Sequence, residues 1–191
     1  MILDVDVVLP IPSRRAVRAR VGPGLTHLAG GNGAGKTTLL RVLCAELPPW
    51  SGRVALDGRD PAVDTATRAR IAFLPAVPEL PGFLSVREGW RLLAAVRDRG
   101  TWDGAGLERR FALDPHRRLD QLSVGQRRKA ELIAALAGDP DVLLLDEVLA
   151  PLDPDSVAAV CEVLEERRSG RIILLTSHGA LRIVPDAVLS I

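Results

Sequence analysis

From Ala16 to Val21 the chain alternates strictly, with Val17, Ala19 and Val21 on one face and Arg18 and Arg20 on the other, the period of a strand with one buried side. Ile2 to Val8 reads as a strand ahead of it, and Gly22-Pro23-Gly24 as the turn after it. Leu25 to Ala29 is a short buried strand, and Thr37 to Cys44 is helical. Pro48 to Gly52 breaks the chain, Arg53 to Gly58 alternates again, and Ile71 to Leu74 forms a further strand ended by Pro75.

Between Leu84 and Leu119 the spacing becomes helical. Val86, Trp90, Leu93 and Ala94 make one apolar stripe, Leu107, Phe111 and Leu113 suggest a second, and Gly100 to Gly106 separates them. Trp90 and Phe111 read as core. Val142 to Leu145 and Ile172 to Thr176 are continuous apolar runs, as expected for strands buried on both faces of a parallel sheet. A helix lies between them, with Asp153 as cap, Pro154 in its first turn and Gly170 beyond its end, and Ala187 to Ser190 forms a last strand. The order predicts an α/β fold with an N-terminal antiparallel β subdomain and an inserted helical lobe.

With 191 residues, 47% of them hydrophobic, the chain can bury a substantial core. A net charge of +1 argues against a general nucleic-acid binder, so Arg14, Arg15, Arg18 and Arg20 read as a solvated strand face. Cys44 and Cys161, far apart in apolar helix-like settings, read as core thiols of a reducing compartment. Asp4 and Asp6 stand where a signal peptide would be basic, and no apolar run approaches the length of a membrane span.

The chemistry begins at Gly30-Gly31-Asn32-Gly33-Ala34-Gly35-Lys36-Thr37-Thr38, which fits the phosphate-binding pattern G-x-x-x-x-G-K-[ST]. Its glycines let consecutive backbone N–H groups turn on phosphate oxygens, Lys36 adds a compact charge, and the Thr37 hydroxyl can ligate Mg²⁺. Only two of the 25 basic residues are lysines, Lys36 and Lys129, so a lysine at position 36 stands out. The flanking strand and helix are the setting this motif requires.

Three further stretches make nearly the whole chain resemble the ATP-binding cassette (ABC) family of ATPases, with a RecA-like P-loop core. Asp146-Glu147 follows the strand Val142 to Leu145 as a Walker B motif does; Leu122-Ser123-Val124-Gly125-Gln126 resembles the signature L-S-G-G-Q; and Thr176-Ser177-His178 and Ala150-Pro151-Leu152-Asp153 resemble the switch histidine and the D-loop. The resemblance implies that ATP and Mg²⁺ bind at Gly30 to Thr38, with Thr37 and Asp146 at the metal and Lys36, Glu147 and His178 serving hydrolysis. It also implies that Ser123, Gly125, Gln126 and Asp153 reach the nucleotide of a second ABC ATPase subunit, an identical copy of the chain, while separate transmembrane subunits carry cargo. The expected unit is a single domain, 1–191, with its lobe at approximately 80–130, cytoplasmic and peripheral on the inner face of the membrane, with no nucleic-acid partner.

Two departures modify this expectation. Ala76 stands where the family has a glutamine that touches Mg²⁺ and water, which predicts slower or less tightly coupled hydrolysis. No aromatic residue precedes Trp50, although the family stacks adenine on an aromatic upstream of the phosphate loop; this predicts weak base discrimination, with Arg14 or Arg15 over the ring. Two other readings remain open: an ABC ATPase acting on ribosomes or DNA, and a module that closes on nucleotide without hydrolysing it.

Overall fold

The computed structural model describes residues 1–77, 79–97, 106–177 and 182–191. Strands β1 (Leu3–Val8), β2 (Ala16–Val21) and β4 (Ser51–Leu56) form an antiparallel sheet with β1 at its centre. Its register sets Asp4 opposite Arg20 and Asp6 opposite Arg18, and these pairs meet across the exposed face at 3.5 and 3.0 Å. The solvated arginine face is thus a cross-strand ladder of opposite charges, while Val17 and Val21 point into the core.

The second sheet is parallel, in the order β5-β6-β7-β3-β8, built from β3 (Gly24–Ala29), β5 (Ile71–Leu74), β6 (Val142–Leu145), β7 (Ile172–Leu175) and β8 (Ala187–Ser190). Every side chain of β6 and β7 is buried. In β6 the alternate positions serve different cores. Val142 and Leu144 join the antiparallel sheet and helix α1 (Lys36–Leu43), whereas Leu143 and Leu145 pack with the helices of the opposite face. A strand covered on both sides cannot alternate, hence its unbroken apolar run.

The helical lobe consists of α3 (Val86–Val96), α4 (Leu107–Arg110) and the start of α5 (Val124–Leu136); a short α2 (Thr65–Ala69), capped by Asp64, precedes β5. Val86, Trp90 and Ala94 are the buried stripe of α3, and Phe111 packs in the same core. Ser85 opens α3 with a capping box: its hydroxyl accepts from Glu88 N, and Glu88 reaches back to Ser85 N at 2.7 Å. Arg97, just beyond α3, ties that helix to the end of α5 by donating to the carbonyls of Ala135 and Ala137, which have no intrahelical partner there. Most of the expected separator Gly100 to Gly106, and the expected switch residue His178, lie outside the described residues. Among the described residues no helix is long and apolar enough to cross a membrane.

Candidate functional site

The loop from Gly30 to Gly35 links β3 to α1 and turns through positive φ at Gly33 (74°) and Gly35 (101°). At Gly35 the positive φ would strain any L side chain, and a Cβ there would also press on the ends of Leu9 (Cδ1, 2.9 Å) and Ile11 (Cδ1, 3.0 Å), which would have to shift. At Gly31 and Gly33 a Cβ would meet nothing within 4 Å, because these positions face the open cleft. Gly35 is the N-cap of α1 and supplies no capping side chain, so the first-turn N–H groups remain for an anion. Lys36 Nζ spans the loop, donating to the carbonyls of Gly30 at 2.7 Å and Gly31 at 3.2 Å.

At the other wall the Asp146 carboxylate, 1% exposed, accepts from Thr37 Oγ1 at 2.6 Å and from Thr176 Oγ1 at 2.7 Å. The Thr176 hydroxyl also accepts from Glu147 N at 2.9 Å. Glu147 adopts the left-handed region at φ 51°, uncommon for a residue with a Cβ. A hydroxyl and a carboxylate in contact are hard oxygen donors that suit Mg²⁺, which takes one or two protein oxygens and completes its shell from water and phosphate. Among the described residues no group of three His, Cys, Asp or Glu is placed to hold a metal ion.

Both walls border one open cleft of about 560 Å³, lined by Gly31 to Thr38, Ala76, Asp146 and Glu147, with Ile11 and Pro12 at its rim. Ile11 and Pro12 were not singled out from sequence; they belong to a tight turn in which Leu9 N donates to Arg15 O. Arg14 and Arg15, expected over the base, take other places in the structure. Neither lines the cleft, and the Arg14 guanidinium lies 3.0 Å from the centroid of the exposed Trp50 ring, a cation–π contact that occupies it elsewhere.

The signature turn is ordered by its own side chains. Ser123 Oγ accepts from Gln126 N at 3.2 Å while Gln126 Oε1 accepts from Ser123 N at 3.1 Å, a capping box that starts α5. A Cβ at Gly125 would lie 3.4 Å from Pro151 O, and Val124, in place of the signature's first glycine, is 73% exposed. Asp153 caps α6 (Pro154–Arg167), accepting from Ser156 N and Oγ at 2.9 and 2.7 Å; these bonds hold its carboxyl below the usual carboxylate range. Within one chain Ser123, Gly125, Gln126 and Asp153 are not among the residues that line the cleft of Lys36.

Strand, glycine loop and helix against a strand-end carboxylate define a P-loop nucleotide-binding domain, here with an inserted helical lobe. Residues 18–150 match the family described as ABC transporter, and the chain belongs to that family. It is 35% identical over 162 residues to the retinal-specific phospholipid-transporting ATPase ABCA4 of Bos taurus, covering 81% of this chain and 7% of that protein. It is 39% identical over 172 residues to the daunorubicin resistance ATP-binding protein DrrA3 of Streptomyces coeruleorubidus, covering 83% of this chain and 53% of that one. The chain therefore spans about half or less of these relatives. Among solved structures, an ATP-binding subunit of an ABC transporter superposes with a TM-score of 0.81 at 26% identity, over 93% of this chain and 79% of the other. The dimeric bacterial ABC transporter cassette MJ0796 superposes with a TM-score of 0.75 at 21% identity, over 94% and 88%. The fold is the α/β, RecA-like arrangement with an antiparallel subdomain and a helical lobe, as the sequence predicts.

Proposed function

We propose that this chain is the ATP-binding and ATP-hydrolysing subunit of an ABC transporter. In this reading one domain, residues 1–191 with its lobe at approximately 80–130, works as a pair of copies beneath separate transmembrane subunits, on the cytoplasmic face of the membrane. The observation that carries the reading is the contact between Thr37 and Asp146, which joins the phosphate loop and the β6 carboxylate in a single cleft with Glu147 on its wall.

The backbone N–H groups at the start of α1, with Gly30, Gly31, Asn32, Gly33, Ala34, Gly35 and Thr38 shaping the wall, hold the phosphates. Lys36 exchanges its two loop carbonyls for a phosphate oxygen. Thr37 and Asp146 would hold Mg²⁺, which would supply positive charge against the phosphates. Glu147 orients water and accepts its proton as oxygen attacks the γ-phosphorus and the bond to the ADP oxygen breaks. His178 is assigned to the γ-phosphate. Ser123, Gly125, Gln126 and Asp153 of a second copy close the site; none of the four lines the cleft of its own chain. The dimeric structure of the MJ0796 cassette supports the pairing, and the transport named in ABCA4 supports a role in transport.

Phosphate release from ATP, measured for the wild type and for Glu147→Gln, tests this. The variant should retain ATP binding while turnover falls by about a hundredfold or more. Wild-type release no faster than the buffer blank would reduce the protein to a nucleotide-binding module.

A further inference from the structure

Arg128 lies on the second turn of α5, in the run Arg127-Arg128-Lys129, yet it is only 3% exposed. Nothing is gained by burying a guanidinium unless its donors are used. Its Nη1 donates to Pro75 O at 2.5 Å and its Nη2 to Asp146 O at 2.6 Å, with Glu131 Oε2 3.7 Å away. Pro75 and Asp146 are the first residues beyond β5 and β6, so the planar fork straps the ends of two neighbouring strands where their ladder has run out.

The second of these bonds bears on the chemistry. The carbonyl of the Asp146–Glu147 peptide is held by Arg128, and the N–H of the same peptide by Thr176 Oγ1. That peptide leads directly into the left-handed φ of Glu147, a conformation that persists only where the surroundings impose it. Arg128 also borders, with Ala76, Val124 and Glu147, a cavity of about 390 Å³ between the signature turn and Glu147.

We propose that Arg128 is a positioning residue: gripping the Asp146–Glu147 peptide opposite Thr176, it fixes the turn that aims the Glu147 carboxylate and carries the placement of the signature helix to it. The inference rests on the hydrolytic reading above. Arg128 touches no reacting atom; it acts through the main chain.

Arg128→Lys keeps the charge beside Glu131 but loses the fork, since an ammonium is a point donor that cannot span both carbonyls in the same plane. The expected result is a split: KM for ATP within about twofold of the wild type, and kcat lower by about tenfold or more. Amide exchange across residues 146–149 should quicken, a readout that needs no turnover. Arg128→Gln with Glu131→Gln, which removes both buried charges, should show the same split if the single variant folds poorly. Unchanged kcat and exchange in a folded variant would overturn the proposal, as would unfolding of both variants, which would make Arg128 a strut of the fold alone. A wild type without ATP hydrolysis would defeat the functional reading; the exchange comparison would still decide whether Arg128 sets this turn.

Discussion

Thr37 Oγ1 donates to Asp146 Oδ2 at 2.6 Å, across 109 positions of sequence. The bond joins the first turn of α1 to the end of β6, and the two atoms are those assigned to Mg²⁺. If that assignment holds, Asp146→Asn should weaken ATP binding by about tenfold or more in the presence of Mg²⁺, the loss of one charged partner. With the metal chelated, variant and wild type should bind alike. Calorimetric titration in both conditions checks this; an equal loss in both would mean that Asp146 merely holds the fold.

At the rim of the cleft the side chains are aliphatic. Ile11 and Pro12 offer a surface to a base but no stacking ring. ATP and GTP should therefore bind with affinities within about fivefold of each other, and Ile11→Tyr should strengthen both by up to about 1–3 kcal/mol, the worth of one stacked base. Competition against a fluorescent nucleotide measures both, and a strong ATP preference in the wild type would contradict the assignment.

Ser85 and Ser123 cap α3 and α5 with the same capping box. Replacing either by alanine should cost about 1 kcal/mol of stability. Hydrolysis should fall only for Ser123→Ala, because only Ser123 is assigned to a second copy's nucleotide. Equal turnover in the two variants would return Ser123 to a purely structural role.

Asp57 accepts from Ile2 N and from Arg70 Nη2, both at 2.8 Å, and the Arg70 hydrogen bond chiefly holds its carboxyl below the ordinary value of 3.8. A carboxyl depressed in the folded state stabilises it above that ordinary value, and the contribution is lost as pH falls through the folded value. Asp57→Asn, which keeps a residue tolerant of the φ of 51° found there, should lower Tm at neutral pH. The gap to the wild type should close on acidification below the ordinary carboxylate range; a gap that persists there would show that charge is not its source.

Burial pushes the Cys44 thiol up to about 11 and the Cys161 thiol upward as well. Thiolate is the reactive form, so neither should be alkylated at mildly alkaline pH on the timescale that labels both in denaturant. Mass spectrometry after a timed iodoacetamide pulse gives the count. Rapid labelling of Cys44 in the native protein would contradict its place beside the core.

What could be read along the chain is what neighbours in sequence decide. The glycine loop, the caps at Ser123 and Asp153, the alternation of β2 and the unbroken Val142-Leu143-Leu144-Leu145 all follow from backbone geometry and from the period at which side chains repeat. The family signature belongs to the same class, since its Ser123 and Gln126 satisfy one another three residues apart.

Arg128 shows what lay beyond that reach. Nothing in the run Arg127-Arg128-Lys129 sets Arg128 apart from its neighbours, and only the packing of α5 against the sheet turns it inward, onto a carbonyl 53 positions away. The same holds for Ile11 at the rim of the cleft, for Arg14 on Trp50, and for the contact of Thr37 with Asp146. Propensity and periodicity are properties of adjacent residues, whereas these contacts depend on which strand lies beside which, and that is settled only when both faces of the parallel sheet are covered at once.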